Sequence, residues 1–206
     1  MRGKFIVVEG PDGTGKTTLV NNLTNALNAR GIDAIKTREP GGSSIGGDIR
    51  RLLFDKTHRM DNLTNALLVS AERRHHLLTV VEPYLAGGTW VVCDRYVLST
   101  LVYQGATPEV MDIINVAIRE FDLPDLTILL VATPEVAIPR LMKRGDLNHF
   151  DAVTPEEYQA RTAAYLAVDK SHYTHGYHLI DKTDGSPEDV LAMVMNGLEQ
   201  SDMLEG

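Results

Sequence analysis

The chain has 206 residues and a formal net charge of −8, with 43% hydrophobic and 23% charged residues, which is typical of a globular protein. This charge disfavours a protein that binds nucleic acid or an acidic membrane, and no apolar run is long enough to span a bilayer. The lone cysteine, Cys93, excludes an internal disulfide and favours a reducing compartment, and the early first strand predicts that there is no signal peptide.

The first predicted strand, 4–9, leads into a phosphate-binding loop of the pattern GxxxxGK[ST]. Its glycines allow successive backbone N–H groups to wrap a phosphate chain, and the helix predicted at 16–30 points its N-terminus at the same anion. Lys16 can reach the outer phosphates, and Thr17 can place its hydroxyl on Mg²⁺. The predicted nucleotide-binding residues here are Gly10, Asp12, Gly13, Thr14, Gly15, Lys16, Thr17 and Thr18.

The second predicted strand, 32–37, ends in a charged, glycine-rich turn that runs from Arg38 to Gly42. In open α/β sheets, ligands bind outside the carboxyl ends of the strands. Arg38 is therefore expected to meet a phosphate, and Glu39 to be within reach of a metal ion or its water shell. The alternative is an Arg–Glu pair that only stabilises the turn.

The third predicted strand, 89–93, is followed by Asp94 and Arg95. Asp94 stands where a carboxylate can reach the hydration shell of Mg²⁺ next to a phosphate-binding loop. Arg95 is always charged and fork-shaped, which suits an anion shared between a phosphate donor and an acceptor. Cys93 itself lies in an apolar run and is predicted to be buried packing.

The remaining elements continue the alternation of strands and helices. Thr107, Thr133, Thr154 and Ser186 each precede a proline and are predicted helix N-caps, with a capping box at Thr154. Pro139 falls inside a helical pattern and predicts a kink or an early helix end. The further predicted strands are 126–131 and 177–181, and the further helices are 44–54, 62–85, 108–121, 134–144, 155–170 and 187–199.

This alternation predicts an α/β fold with a mainly parallel five-stranded sheet covered on both faces by helices. With the phosphate-binding loop, it predicts a three-layer αβα sandwich of the P-loop NTPase type. The length suits a single domain that spans residues 1–206.

Four motifs, in this order, resemble the thymidylate kinase family. They are EGPDGTGKTT (9–18), TREPGG (37–42), SAER (70–73) and DRYVLSTLVYQG (94–105), and the resemblance extends from Phe5 to the loop at Asp181. It implies transfer of a phosphoryl group from ATP to dTMP with Mg²⁺, by a homodimer in the cytoplasm. Because the acceptor phosphate is already an anionic nucleophile, positioning and electrostatic stabilisation are expected to carry the rate.

The resemblance also implies roles on the acceptor side. Asp12 would hold the sugar 3′-hydroxyl, Arg38 and Arg95 would hold the acceptor phosphate, and Arg50 matches a further acceptor-side arginine. Arg73 matches the arginine that hydrogen-bonds O4 of thymine.

The base and sugar positions follow from the same motifs. Thr100 and Gln104 match positions that contact the base, and Tyr103 matches a tyrosine beneath the deoxyribose, where a 2′-hydroxyl would clash. Lys182 and Thr183 match the loop that flanks adenine.

A short lid at about 140–152 is a further implication of the resemblance. Members of the family carry a catalytic arginine in the phosphate loop or in the lid, and the loop position here is the uncharged Gly13. Arg144 is therefore expected to act in the transition state, supported by Arg140 and Lys143. The alternative is a solvated basic helix end, which the helix dipole favours.

Two positions depart from the family pattern. His149, after Asn148, stands where relatives usually carry a lid arginine, and it supplies charge only when protonated. Val69 stands where relatives stack an aromatic ring on thymine. This leaves open an ordinary dTMP site with weaker stacking, or an altered tolerance for dUMP or a 5-substituted pyrimidine monophosphate. A non-catalytic nucleotide switch is a further alternative.

Overall fold

The computed structural model describes residues 1–58, 60–145, 147–148, 150–181 and 185–204. Within these ranges, five parallel strands form one sheet in the spatial order β2-β3-β1-β4-β5. The strands are β1 (Phe5–Glu9), β2 (Ala34–Arg38), β3 (Trp90–Asp94), β4 (Leu126–Val131) and β5 (Tyr177–Asp181). The predicted parallel sheet is confirmed, and β1 and β3 are buried along their whole length, as strands covered on both faces should be.

Helices cover both faces of this sheet. They are α1 (Lys16–Ala29), α2 (Gly46–Phe54), α3 (Asn62–His76), α4 (Glu82–Ala86), α5 (Val97–Gln104), α6 (Pro108–Ile118), α7 (Pro134–Arg144), α8 (Pro155–Ala167) and α9 (Pro187–Gln200). One π-helical turn, Leu77–Val81, joins α3 to α4. None of the described helices combines the length and the apolar character that crossing a membrane requires.

Alternate residues of the central strands supply two separate cores. Phe5 and Val7 of β1 pack with residues of α3 to α6 on one face, whereas Ile6 and Val8 pack with α1 and α9 on the other. This two-residue period is the pleat of a strand buried on both sides. Cys93 is buried in the first of these cores, so its predicted packing role is confirmed. The predicted αβα sandwich is confirmed as well.

Helix α5 was not among the predicted helices, because its N-terminus lacks a local cap. The cap comes instead from Glu9 of β1, whose Oε1 accepts hydrogen bonds from the backbone N–H groups of Tyr96 (2.8 Å) and Ser99 (3.1 Å). Its Oε2 accepts from the Ser99 hydroxyl at 2.6 Å. Burial raises the pKa of Glu9 above its ordinary value, although these hydrogen bonds oppose that rise.

The predicted caps are confirmed at three of the four helices. Thr154 and Ser186 form capping boxes, and the Thr107 hydroxyl accepts a hydrogen bond from the Val110 N–H. Thr133 precedes α7 but makes no side-chain cap bond. These caps place the starts of α6, α8 and α9 where the sequence predicted them.

Of the two outcomes predicted for Pro139, a kink or an early helix end, the early end is wrong. Helix α7 continues through it to Arg144 and stops at Gly145, whose φ of 81° is left-handed. Ala137 and Leu141, on either side of Pro139, are buried and pack the helix against the rest of the protein. This packing offsets the lost backbone hydrogen bond, and it brings the end of α7 to the functional site.

Two glycines give a matched test of the packing. A Cβ on the buried Gly3 would lie 2.1 Å from the Thr89 carbonyl oxygen, whereas one on Gly47, in α2, would meet open space. We expect Gly3→Ala to lower the free energy of unfolding by about 1–3 kcal/mol, and Gly47→Ala to raise it by about 0.5–1 kcal/mol. Urea denaturation measures both, and equal midpoints would contradict the packing described for Gly3.

Candidate active site

One cavity of about 540 Å³ lies at the carboxyl ends of β1, β2 and β3, where a ligand of an open α/β sheet is expected. All nine predicted acceptor-binding residues line it, together with Thr17 of the phosphate-binding loop and helix α1. The sequence-predicted residues are therefore brought together in space. They are Asp12, Arg38, Arg50, Val69, Arg73, Arg95, Thr100, Tyr103 and Gln104.

The phosphate-binding loop is packed too tightly for larger residues at two of its glycines. Gly10 has a φ of 137°, and a Cβ there would lie 2.1 Å from the Leu130 carbonyl oxygen. Gly13 has a φ of 82°, and its Cβ would lie 2.4 Å from the Ala137 carbonyl oxygen of α7. The loop is thus wedged between β4 and α7, which fixes the direction of its backbone N–H groups.

Lys16 turns back onto its own loop. Its Nζ donates to the Pro11 carbonyl at 2.8 Å and lies 4.0 Å from the Asp12 carboxylate. Burial, and then the charge of Arg95, lower the pKa of Lys16 to about 8, against the opposing effect of Asp12. The Lys16 ammonium group is therefore hydrogen-bonded within its own loop, by the Pro11 carbonyl. Nearby, Thr14 is buried and Thr18 is exposed.

Thr17 and Asp94 form the oxygen pair that the sequence predicted for a metal ion. The Thr17 hydroxyl donates to the Asp94 carboxylate at 2.6 Å, so the end of β3 meets the first turn of α1. A hydroxyl and a carboxylate oxygen side by side suit Mg²⁺, which takes hard oxygen ligands and keeps several waters. The residues present therefore fit this ion.

Five of the described arginines line the cavity, and three of them, Arg38, Arg50 and Arg95, act on one another through their charges. Arg50 donates to the Pro40 carbonyl at 3.1 Å, and its guanidinium lies 4.5 Å from the centre of the Phe54 ring. Burial, and then the nearby charges of Arg38 and Arg95, lower the pKa of Arg50 to about 10. Mutual repulsion of this kind would be relieved by an anion, so the charge of the cluster suits an anionic ligand.

Arg95 is the most firmly held of the three. It lies at a left-handed φ of 74°. Its Nη1 donates to Ser99 Oγ (3.0 Å) and Tyr165 OH (2.9 Å), and its Nη2 donates to Asp12 at 2.6 Å. Burial opposes ionisation of Asp12, yet the charges of Arg95 and Lys16 hold the pKa of Asp12 well below its ordinary value. The fork is thereby fixed before any ligand arrives.

Arg73 reaches the cavity from α3 and is almost completely buried, with 2% of its surface exposed. Its Nε donates to Glu39 at 2.7 Å, and its Nη2 donates to the Tyr96 carbonyl (2.9 Å) and to Thr100 Oγ1 (3.0 Å). Its Nη1 is buried and has no hydrogen-bond partner among the described residues. One nitrogen of the rigid fork is therefore without a partner among the described residues.

The structure corrects the expectation that Glu39 serves a metal ion. One of its oxygens accepts from Arg73, and the other contacts His76 Nδ1 at 3.0 Å. The carboxylate is buried and occupied on both sides. Glu39 is also not paired with its neighbour Arg38, so the alternative of a local Arg–Glu pair fails too.

The lid contributes Arg144 to the cavity. Its Nη2 contacts both oxygens of Asp151, at 3.2 and 3.1 Å, and the Asp151 side chain is only 1% exposed. Arg140 and Lys143 lie on the exposed side of α7 and do not line the cavity, so their predicted support is not direct contact. His149, Lys182 and Thr183 lie outside the described residues.

Two aromatic residues that were not predicted from the sequence, Phe54 and Phe150, line the same cavity. Phe150 makes edge-to-face contacts with Phe54 and Tyr103, each at a centroid distance of 5.9 Å. Arg161 of α8 lies 4.3 Å above the Tyr103 ring and donates to the Phe150 carbonyl. Single aromatic residues in a lid and at a helix end carry no periodic signal, so only their meeting in space reveals them.

Comparison with known proteins agrees with this geometry. The family model described as thymidylate kinase matches residues 8–194. The chain is 44% identical to a thymidylate kinase of Caldicellulosiruptor saccharolyticus over 73% of this chain and 75% of that protein. It is 38% identical to one of a Geobacillus species over 82% and 83%, and 35% identical to one of Desulforapulum autotrophicum over 95% and 91%.

Proposed function

Because the chain belongs to the thymidylate kinase family, we propose that it transfers the γ-phosphoryl group of ATP to dTMP, giving ADP and dTDP. The observation that carries this proposal is a single cavity in which an arginine cluster, a buried arginine donor and the first turn after a phosphate-binding loop converge. Such a cavity fits a nucleoside monophosphate whose phosphate faces the donor.

The donor side is formed by the phosphate-binding loop. The loop N–H groups and Lys16 would hold the ATP phosphates once Lys16 leaves the Pro11 carbonyl. Thr17 and Asp94 would hold Mg²⁺, which when bound neutralises charge on the phosphates.

The acceptor phosphate fits between the arginines. Arg38, Arg50 and Arg95 all line the cavity, and burial, followed by the charges of Arg38 and Arg95, lowers the pKa of Arg50. Asp12 and Tyr103, joined by a hydrogen bond of 2.7 Å, are placed to meet the deoxyribose. Burial raises the pKa of Tyr103 to about 12, so its hydroxyl stays protonated and can donate.

The base is read at the inner end of the cavity. The partnerless Nη1 of Arg73 is a donor that suits a carbonyl oxygen such as O4 of thymine. Thr100 and Gln104 line the same end, and Val69 covers it with an aliphatic rather than an aromatic surface. This arrangement favours a pyrimidine with a carbonyl at that position.

We also propose a homodimer that works in the cytoplasm. Helices α3 and α6 pack together and leave apolar side chains exposed on both, among them Leu67 with 52% and Val116 with 57% of its surface. Such a patch suits a partner surface. The free, buried thiol of Cys93 is compatible with a reducing compartment.

The test is Mg²⁺-dependent formation of ADP from ATP with a panel of acceptors: dTMP, dUMP, 5-hydroxymethyl-dUMP, dCMP, dGMP and the ribose analogue of dTMP. We expect a strong preference for dTMP. Equal or better turnover of another deoxypyrimidine would show that Val69 marks a changed specificity. ATP turnover that no acceptor stimulates would contradict a kinase and support a nucleotide switch.

A further inference from the structure

His76 is completely buried next to Glu39, which lines the cavity, although His76 itself does not line it. Its Nδ1 lies 3.0 Å from Glu39 Oε1, and its Nε2 lies 2.7 Å from Thr37 Oγ1. Both ring nitrogens are therefore within hydrogen-bonding distance of a polar partner. A buried imidazole with two partners has a fixed orientation.

The chemistry of Glu39 and Thr37 determines which ring nitrogen of His76 carries a hydrogen atom. An ionised carboxylate only accepts, so Nδ1 must carry the hydrogen that it shares with Glu39. Nε2 can then accept from the Thr37 hydroxyl. A neutral imidazole satisfies both contacts, and its orientation fixes the Oε1 side of the Glu39 carboxylate.

The second oxygen of Glu39 holds Arg73, so the orientation of the carboxylate also determines the position of the guanidinium. Oε2 accepts from Arg73 Nε at 2.7 Å, and the Tyr96 carbonyl and Thr100 fix Nη2. The guanidinium is planar and rigid, so these three contacts determine where Nη1 points. A rotation of the Glu39 carboxylate would therefore change the direction of Nη1.

The same imidazole also supports the turn that holds the phosphate arginines. A Cβ on Gly42 would lie 2.4 Å from His76 Nε2 and 2.5 Å from Thr37 Oγ1, so the turn rests directly on the ring. Within this turn, the Pro40 carbonyl accepts from Arg50, and Arg38 follows Thr37 in the chain. His76 thus touches both the base-reading part and the phosphate-holding part of the acceptor site.

A metal site is the competing explanation of this cluster. Ligand atoms of Glu39, His76 and Cys93 lie within 4.8 Å of one another. Both Glu39 oxygens are already bonded, however, and a cation there would face the buried charge of Arg73. The contacts therefore favour a role in positioning.

We propose that His76 is a positioning residue, which sets the direction of Arg73 through Glu39 and thereby the discrimination between thymine and cytosine. The proposal rests on the proposed function, because it assumes that Arg73 Nη1 meets the oxygen at position 4 of the base. Cytosine carries an amino group there, so an arginine donor that is correctly aimed favours thymine.

The test compares two substitutions that each keep one of the two hydrogen bonds. In His76→Asn the amide can replace Nδ1 and still donate to Glu39, whereas in His76→Gln it reaches the position of Nε2 and contacts Thr37. We expect His76→Gln to lower the ratio of dTMP to dCMP affinity, measured by calorimetry, by about 10-fold or more. His76→Asn should keep the ratio within about 3-fold of wild type.

A double-mutant cycle with Glu39→Gln separates positioning from general damage. If His76 acts through Glu39, the double variant His76→Gln/Glu39→Gln should lose no more discrimination than the worse single variant. His75→Asn, one residue away on the same helix and outside these contacts, is the matched control. An unchanged affinity ratio in His76→Gln, or additive losses in the double variant, would overturn the proposal.

These outcomes are separate from those that test the proposed function. Absence of dTMP phosphorylation by the wild-type protein would contradict the function itself. Normal wild-type phosphorylation with an undiminished affinity ratio in His76→Gln would contradict only the role of His76. If His76→Gln does not fold, Glu39→Gln alone must lower the affinity ratio, because Arg73 Nε then loses its carboxylate; an unchanged ratio would overturn the proposal.

Discussion

Arg144→Ala is expected to lower kcat by about 10³-fold, because a phosphoryl group in transfer spreads negative charge that an arginine stabilises. The phosphate-binding loop offers no such group at Gly13, where a Cβ would lie 2.4 Å from the Ala137 carbonyl oxygen. The helix that excludes a side chain there, α7, ends in Arg144, which lines the cavity and is oriented by the buried Asp151. The measurement is steady-state phosphoryl transfer at saturating ATP and dTMP.

Arg30→Ala is the matched control for that experiment. Arg30 directly follows α1, is partly exposed and pairs with Glu199 of α9 at 2.7 Å, so its loss should change kcat by less than about 2-fold. A similarly small effect of Arg144→Ala would mean that the basic end of α7 is only a solvated helix end, the alternative that the sequence left open.

Arg95→Lys is expected to reduce kcat/KM for dTMP by about 10²- to 10³-fold, although it keeps the charge. The Arg95 fork bonds Asp12 with one nitrogen, and Ser99 and Tyr165 with the other. A single ammonium group cannot span these partners and face a phosphate at the same time. Steady-state kinetics at varied dTMP concentrations measures the loss.

Arg30→Lys serves as the comparison, because Arg30 makes a partly exposed ion pair with Glu199 at 2.7 Å. Its kcat/KM should stay within about 2-fold of wild type. Retention of more than about a tenth of the wild-type kcat/KM by Arg95→Lys would show that charge alone, rather than the fixed fork, is what the acceptor needs.

Most of the fold could be predicted, because its signals are local. Each observed strand differs from its predicted range by at most two residues at either end. The phosphate-binding loop has a fixed spacing of glycines. Helix α5 was not predicted, because its cap is Glu9, a residue of a distant strand. No window of sequence around Val97–Gln104 contains that information.

The residues of the candidate site could be predicted where they belong to a recognisable sequence motif. The nine acceptor residues were found from motif resemblance, and the structure brings them into one cavity. The partner of Glu39 was not found, since the choice between a metal ion, Arg38 and Arg73 depends on how α3 packs beside β2 and β3. For the same reason, the family resemblance located the basic end of α7 but did not reveal that Arg144 alone among its three cations lines the cavity.

The buried lysine of the phosphate-binding loop makes ATP binding a proton-linked equilibrium. With a pKa of about 8 in the empty loop, Lys16 is neutral in roughly half of the molecules at pH 8. The negative charge of a bound triphosphate raises that pKa again, so binding draws protons from the solvent. Affinity for ATP is then nearly constant below about pH 7 and falls as the pH rises above about 8. Binding of ATP is therefore expected to weaken in alkaline solution, even though the phosphoryl transfer itself is expected to need no general base.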